Sequence, residues 1–424
     1  MYNTKRAFSL LEKISFVRTG GSLEELKAAN ILKEEIEKTG TKAWLEEFPV
    51  DHSEVELVKL EVTAPYQKEY ECVAVKMTGD TPKEGIEAEL VYVQDLDECL
   101  IRDIEGKIVL INGRMIHKHY KKIIDKKPAA FISFAGSVYD DLENSDLDVY
   151  PMREKQYEMG KIPGVGVRAI VAQELVLNQA SKAKITLIQH EGKRNSRNVV
   201  CEIKGTTYPE EVIALTAHYD SVPFSNGAYD NASGSVGIME LFHHFLENKP
   251  ARTLRFIWCG SEEMGLLGSR AYVSQHEEEL KNYVFNLNID MIGVILGKEI
   301  ACSTAENSLV GYIDYIGKEV GVSVVSYQGV YSSDSTPFAD KGIPATSFCR
   351  ASAQGGAQIH SRKDVLDHMS HQAFDSSLKL ITAVADRLVN AHTFPVPRNI
   401  PDNMKLELDY YNLRKERPGP GGRF

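Results

Sequence analysis

The chain has 424 residues, 43% apolar and 26% charged, and its 60 acidic and 49 basic side chains leave a net charge of −11. That composition excludes a disordered chain, and the length suits two or three domains at about 100–200 residues each. An acidic excess of this size opposes binding to nucleic acid or acidic membranes, which requires a clustered positive field.

The six cysteines, Cys72, Cys99, Cys201, Cys259, Cys302 and Cys349, are scattered without C-x-x-C or framework spacing, and are read as free thiols. Charges at Lys5, Arg6, Glu12 and Lys13 interrupt any apolar leader, and no run of about 18 apolar residues occurs. The expectation is a cytoplasmic protein without membrane contact.

In chain order, Ser22 and Glu25 form a capping-box pattern, and Leu26, Leu32 and Ile36 predict an amphipathic helix that stops at Gly40. Trp44, Leu45 and Phe48 predict a strand. From about Glu54 the pattern turns to short β-rich runs, such as Glu89 to Val93 and Lys107 to Ile111, which reads as a separate domain ending before the polar stretch Glu191 to Arg197. From Val199 strands alternate with helices: Val212 to Ala217, Ser233 to Leu246, Leu254 to Trp258, Gly265 to Ser274 and Val284 to Ile289. This alternation predicts βαβ units and an α/β fold, a mixed, mainly parallel sheet covered by helices. The end, from Arg417 to Phe424, reads as a flexible tail.

The predicted strands of this α/β region end in residues that bind metals. Val212 to Ala217 runs into His218, with Asp220 two positions on; Leu254 to Trp258 leads to Glu262 and Glu263; Val284 to Ile289 ends at Asp290. Ligands of open α/β sheets collect beyond the carboxyl ends of strands. Asp230, in a Gly-rich loop, and His360 complete the set. Imidazole and carboxylate suit zinc, and a metal pair about 3.5–4 Å apart can clamp the attacking and substrate oxygens together. Asp230 is read as the bridge, with His218 and Asp290 on one metal and Glu263 and His360 on the other. Consecutive side chains diverge, so one of the adjacent glutamates binds metal; Glu262 is assigned as general base. Asp220 is expected to accept the remaining imidazole N–H of His218. His243, His244, His368 and His371 lack a suitably placed glutamate and are read as structural; His117 and His119, among lysines, as part of a solvated face.

HYDS at His218, GAYDNASG at Asp230, GSEEMGLLGS at Glu262 and Glu263, NIDMIG at Asp290, SDSTPFADKGIPA at Asp334 and IHS at His360 together resemble the di-zinc aminopeptidase family that includes aminopeptidase Y, bacterial leucyl aminopeptidases and glutamate carboxypeptidase. IEGKIVLINGR followed by KKPAAFISF resembles the inserted protease-associated domain of some members. The resemblance implies the same ligand sets and base, and a cis peptide bond after Asp230. The oxyanion-stabilising tyrosine that several relatives carry directly before the last histidine is replaced by Ile359, and Tyr331 is the available substitute. Where relatives have SDH, this chain has Ser333-Asp334-Ser335.

The implied activity is that of a zinc exopeptidase on peptide substrates, an aminopeptidase, with two zinc ions replaceable by cobalt or manganese and room for a homo-oligomer. A carboxypeptidase or other amidohydrolase on the same site, a one-zinc cyclase and an inactive partner-binding homologue are the alternatives. The expected organisation is residues 1–55 opening the catalytic domain, 56–190 a protease-associated-like insert, 191–395 the main catalytic part and 396–424 a tail.

Overall fold

The computed structural model describes residues 3–96, 101–143 and 145–417, which form two compact units. Cys99 and residues 418–424 of the expected tail lie outside the described residues; the described cysteines are free. No described helix is long and apolar enough to cross a membrane.

Among the described residues the first unit comprises 3–50 and 195–417. Its sheet runs in the order Val324–Gln328, Gly297–Thr304, Ala345–Ser352, Tyr283–Ile289, Tyr208–His218, Arg252–Cys259 and finally residues 199–203, the end of the strand Lys182–Ile203. Ala345–Ser352, Tyr283–Ile289, Tyr208–His218 and Arg252–Cys259 are mutually parallel, and the sheet turns antiparallel at residues 199–203 and at Gly297–Thr304. The central strands are buried on both faces, and side-chain alternation divides them between two cores. Ile213, Leu215, Ala217, Leu254, Phe256 and Trp258 point to one core, against Thr4–Ile14, Leu23–Glu37, Ser233–Glu247 and His371–Asn390. Val212, Ala214, Ile257 and Cys259 point to the other, with Tyr272, Val273 and Phe338 from Leu267–Gln275 and Ser335–Asp340.

The stretch read as a tail departs from expectation. Asp402–Tyr411 is a helix, and Ile400, Met404 and Leu408 bury themselves with Ala339 and Ala345. Three apolar side chains at helical spacing in a polar segment are a weak signal until the surface they cover is known. Leu408→Ala is expected to lower unfolding free energy by about 2–5 kcal/mol, read from urea melts, without altering kcat.

The second unit comprises residues 51–194. Ile86–Val93, Ile108–Ile111, Ala130–Ala135 and Gly164–Arg168 pair in parallel in that order, Val73–Ala74 adds an antiparallel edge, and residues 182–185 pair antiparallel with Ile86–Val93. Parallel neighbours need crossover connections. This unit accordingly carries the helices His117–Ile124, Glu154–Tyr157 and Ala169–Leu177, which the β-rich reading missed. His117–Ile124 buries only Tyr120 and Ile123, too few positions to give helical periodicity among lysines.

Candidate metal centre

Parallel neighbours align their carboxyl ends, and the register pairs Cys259 with His218, so the chain leaves both strands at one edge of the sheet. His218 is the last residue of its strand, Asp290 follows Tyr283–Ile289, and Glu262 and Glu263 follow Arg252–Cys259. Asp230 lies in the tight turn Ala228–Ala232, entered through Gly227 at φ +56°. A Cβ on Gly227 would meet the Asp230 carbonyl at 2.6 Å, so this approach is open only to glycine. The Asp230–Asn231 peptide bond is cis, as the resemblance implied. Ser261, Met291 and His360 all have positive φ, placing strained backbone beside or at the glutamates, Asp290 and the last histidine.

His218 Nε2 lies 3.2 Å from Asp230 Oδ1, 3.6 Å from Asp290 Oδ1 and 4.0 Å from Glu262 Oε2. His360 Nε2 lies 3.2 Å from Asp230 Oδ2 and 3.1 Å from Glu263 Oε2. Two triads result, His218 with Asp230 and Asp290, and Asp230 with Glu263 and His360, each with donor atoms within 4.8 Å of one another. Asp230 belongs to both, turning one oxygen to each histidine. The buried Glu263 Oε1 and Asp290 Oδ1 have no hydrogen-bond partner, an expensive state for a carboxylate that a cation relieves. Imidazole with carboxylate is a donor set that fits zinc. The two histidines differ in exposure: the His218 side chain is 2% accessible and that of His360 46%, so the second triad opens to solvent.

The electrostatics fit a site built around positive charge. Burial would lower the pKa of His218, but the carboxylates of Glu262, Asp220, Asp230 and Asp290 overcome it and hold the imidazole well above its ordinary value. Burial likewise opposes the charged His360, which hydrogen bonds to Asp230 and Glu263 nonetheless push up to about 11. For Asp230 burial is outweighed by both histidines, and its carboxyl is lowered. Burial raises Glu262 well above the carboxylate range, His218 offsetting part of this and Glu263 adding to it. Burial and then Asp230 push Glu263 up to about 7. Burial also takes Asp334 to about 6.

Asp220 sits 3.3 Å from His218 Nδ1 without the alignment of a hydrogen bond. Its oxygens instead accept the backbone N–H groups of Glu262 (3.0 Å) and Glu263 (3.2 Å). Tyr331 is half-buried beside Cys349 and Asp290, and burial raises its phenol pKa.

Three further residues shape the site without having been singled out in the sequence for it. Asp364 accepts the N–H groups of Tyr229 (2.7 Å) and Asp230 (3.0 Å), one on each oxygen. Arg18, fully buried, donates to the carbonyls of Tyr219, Asn226, Gly227 and Phe16, tying together the loop that leads to Asp230. Glu25, expected only as a helix cap, is also fully buried and reaches Ser261. The short-range pattern around Arg18 and Asp364 carries no signal of these roles, since their partners are backbone groups and, Phe16 apart, distant in sequence.

Residues 198–385, which contain both triads, match the model of peptidase family M28. The chain is 26% identical to aminopeptidase YwaD of Bacillus subtilis (strain 168) over 96% of its own length and 89% of that protein, and 26% identical to carboxypeptidase Q of Bos taurus over 65% and 61%. The fold superposes on BSAP, a zinc aminopeptidase from Bacillus subtilis, with a TM-score of 0.78 at 24% identity, covering 96% of this chain and 99% of that one. The family match falls on the segment that brings together the two sets of candidate metal ligands, and the chain is a metallopeptidase enzyme.

Proposed function

We propose that this chain is a di-zinc exopeptidase that removes N-terminal residues from peptides, with Glu262 as its general base. The observation that carries the reading is Asp230, whose two carboxylate oxygens each face a histidine of a separate ligand set. His218 and Asp290 would hold one zinc ion, Glu263 and His360 the other, and Asp230 both. The pair, when bound, polarises a scissile carbonyl and makes water acidic. Glu262 does the proton work: a buried carboxylate with a raised pKa can take a proton from water and return it to the departing amine. Asp220 holds the backbone on which Glu262 and Glu263 are mounted, and the Tyr331 phenol serves as a donor to the developing oxyanion. Residues 56–190 are read as a protease-associated-like insert and the cytoplasm as the compartment.

The test is a panel of free-amine amino-acid amides and of amino-blocked peptides with a free C-terminal carboxylate, with and without chelator. Free-amine amides should be hydrolysed, chelation should abolish hydrolysis, and added zinc, cobalt or manganese should restore it. The likeness to carboxypeptidase Q supports a second reading on the same metals. Cleavage of blocked peptides with none of free-amine ones would favour it. Metal-loaded protein that hydrolyses neither class would overturn both.

A further inference from the structure

We infer that Glu25 is a positioning residue for Glu262: its buried carboxylate fixes the bend at Ser261 that aims the base into the metal centre. The inference rests on the reading of Glu262 as general base. Glu25 is the third residue of Leu23–Glu37, where a glutamate ordinarily turns back to the N-cap N–H. Ser22 already caps this helix by accepting from Glu25 N at 3.0 Å. Glu25 Oε2 reaches one residue further back, to Gly21 N at 2.9 Å. Oε1 leaves the helix and accepts three donors, Ser196 Oγ at 2.8 Å, Ser261 N at 3.0 Å and Ser261 Oγ at 3.1 Å.

Ser261 needs such an anchor. Its φ of +53° lies in the left-handed region, which a residue with a Cβ adopts at a cost unless its surroundings impose it. The next two N–H groups, of Glu262 and Glu263, end on Asp220. Three successive backbone N–H groups are therefore fixed by two buried carboxylates that are themselves outside both ligand sets, and the direction of the Glu262 side chain follows. The chain is also closed in from behind: a Cβ on Gly260 would come within 2.9 Å of Glu25 Oε1 and 2.5 Å of the Arg197 carbonyl. Asp220 holds the N–H groups of both glutamates, but the bend that Glu25 fixes is at Ser261, directly before Glu262 and one residue further from the ligand Glu263, so removing Glu25 should disturb the base more than metal retention.

The test uses the full, zinc-loaded chain, with kcat, KM, zinc content and Tm measured for Glu25→Ala, Glu25→Gln, Ser261→Gly and Glu262→Gln. Misplacing a reacting group by about 1 Å can cost about 100-fold, so Glu25→Ala should lower kcat by about 30–100-fold with KM within about threefold and zinc content unchanged. Glu25→Gln, which returns an oxygen acceptor for Ser261, should recover part of that loss. A residue that only supports the fold would lower Tm and leave kcat per folded, zinc-loaded molecule unchanged, and that result overturns the inference. Should Glu25→Ala not fold, Ser261→Gly decides: it accepts positive φ and removes only the hydroxyl link, so kcat should fall by about 5–10-fold, whereas unchanged kcat overturns the inference. An active Glu262→Gln enzyme would instead defeat the base assignment itself, a failure distinguishable from wild-type turnover in the Ser261 and Glu25 variants.

Discussion

Glu262→Gln is expected to lower kcat on an amino-acid amide by about 10²–10⁴-fold, the range by which a positioned general base contributes. The substitution keeps the side chain's length and removes its capacity to take a proton. Glu262 lies outside both metal-ligand triads, its Oε2 standing 4.0 Å from His218 Nε2, so zinc content should stay near that of the parent chain. Loss of turnover with metal retained separates a base from a ligand. Loss of both in the same variant would move Glu262 into the metal-binding set, and turnover within a few-fold of the parent would remove it from the reaction.

The second large effect concerns Asp230. Because it belongs to both triads, Asp230→Ala should release both metals, whereas His218→Ala should chiefly empty the set it shares with Asp290. Elemental analysis should find Asp230→Ala near zero zinc per chain and His218→Ala near one, with activity lost in each, since a deleted ligand weakens its own metal most. Retention of about two zinc ions by Asp230→Ala would defeat the bridging assignment.

Metal removal from the parent chain gives a related result with a defined sign. In the metal-free protein burial raises Glu263 to about 7 and Asp334 and Asp364 to about 6, and likewise lifts Glu25 to about 7. A carboxyl with a raised folded-state pKa binds more protons folded than unfolded, so its contribution is present at low pH and fades as pH rises through the folded value. His360, raised to about 11 against an unperturbed value near 6.5, acts in the same direction over a higher window. The site's contribution to the stability of the metal-free protein should therefore fall between about pH 4.5 and 8, and the Tm gained on adding zinc should widen over the same range. The lowered Asp230 acts oppositely only at more acidic pH. A zinc-induced Tm gain that is flat or shrinking with pH would contradict this account.

The amino-acid sequence by itself determined the alternation of strands and helices from Val199 onward, because strands buried on both faces are short apolar runs and the intervening helices have their own period. It also determined which residues stand at the strand ends: the chemistry of His218, Glu262, Glu263 and Asp290 is local, and each follows directly from where its strand stops. Tertiary structure alone decided what holds those residues in place. Asp364 and Arg18 act chiefly on backbone groups from far along the chain, and a backbone N–H or carbonyl has no residue identity for a pattern to register; Glu25 reaches Ser196 and Ser261, about 170 and 240 residues on, beyond any local pattern. The same reason hid the helix Asp402–Tyr411 and the crossover helices of unit 51–194, whose few apolar side chains acquire meaning only from the surfaces they cover. A metal ligand is recognisable by its own side chain, whereas a positioning residue is defined by what it touches.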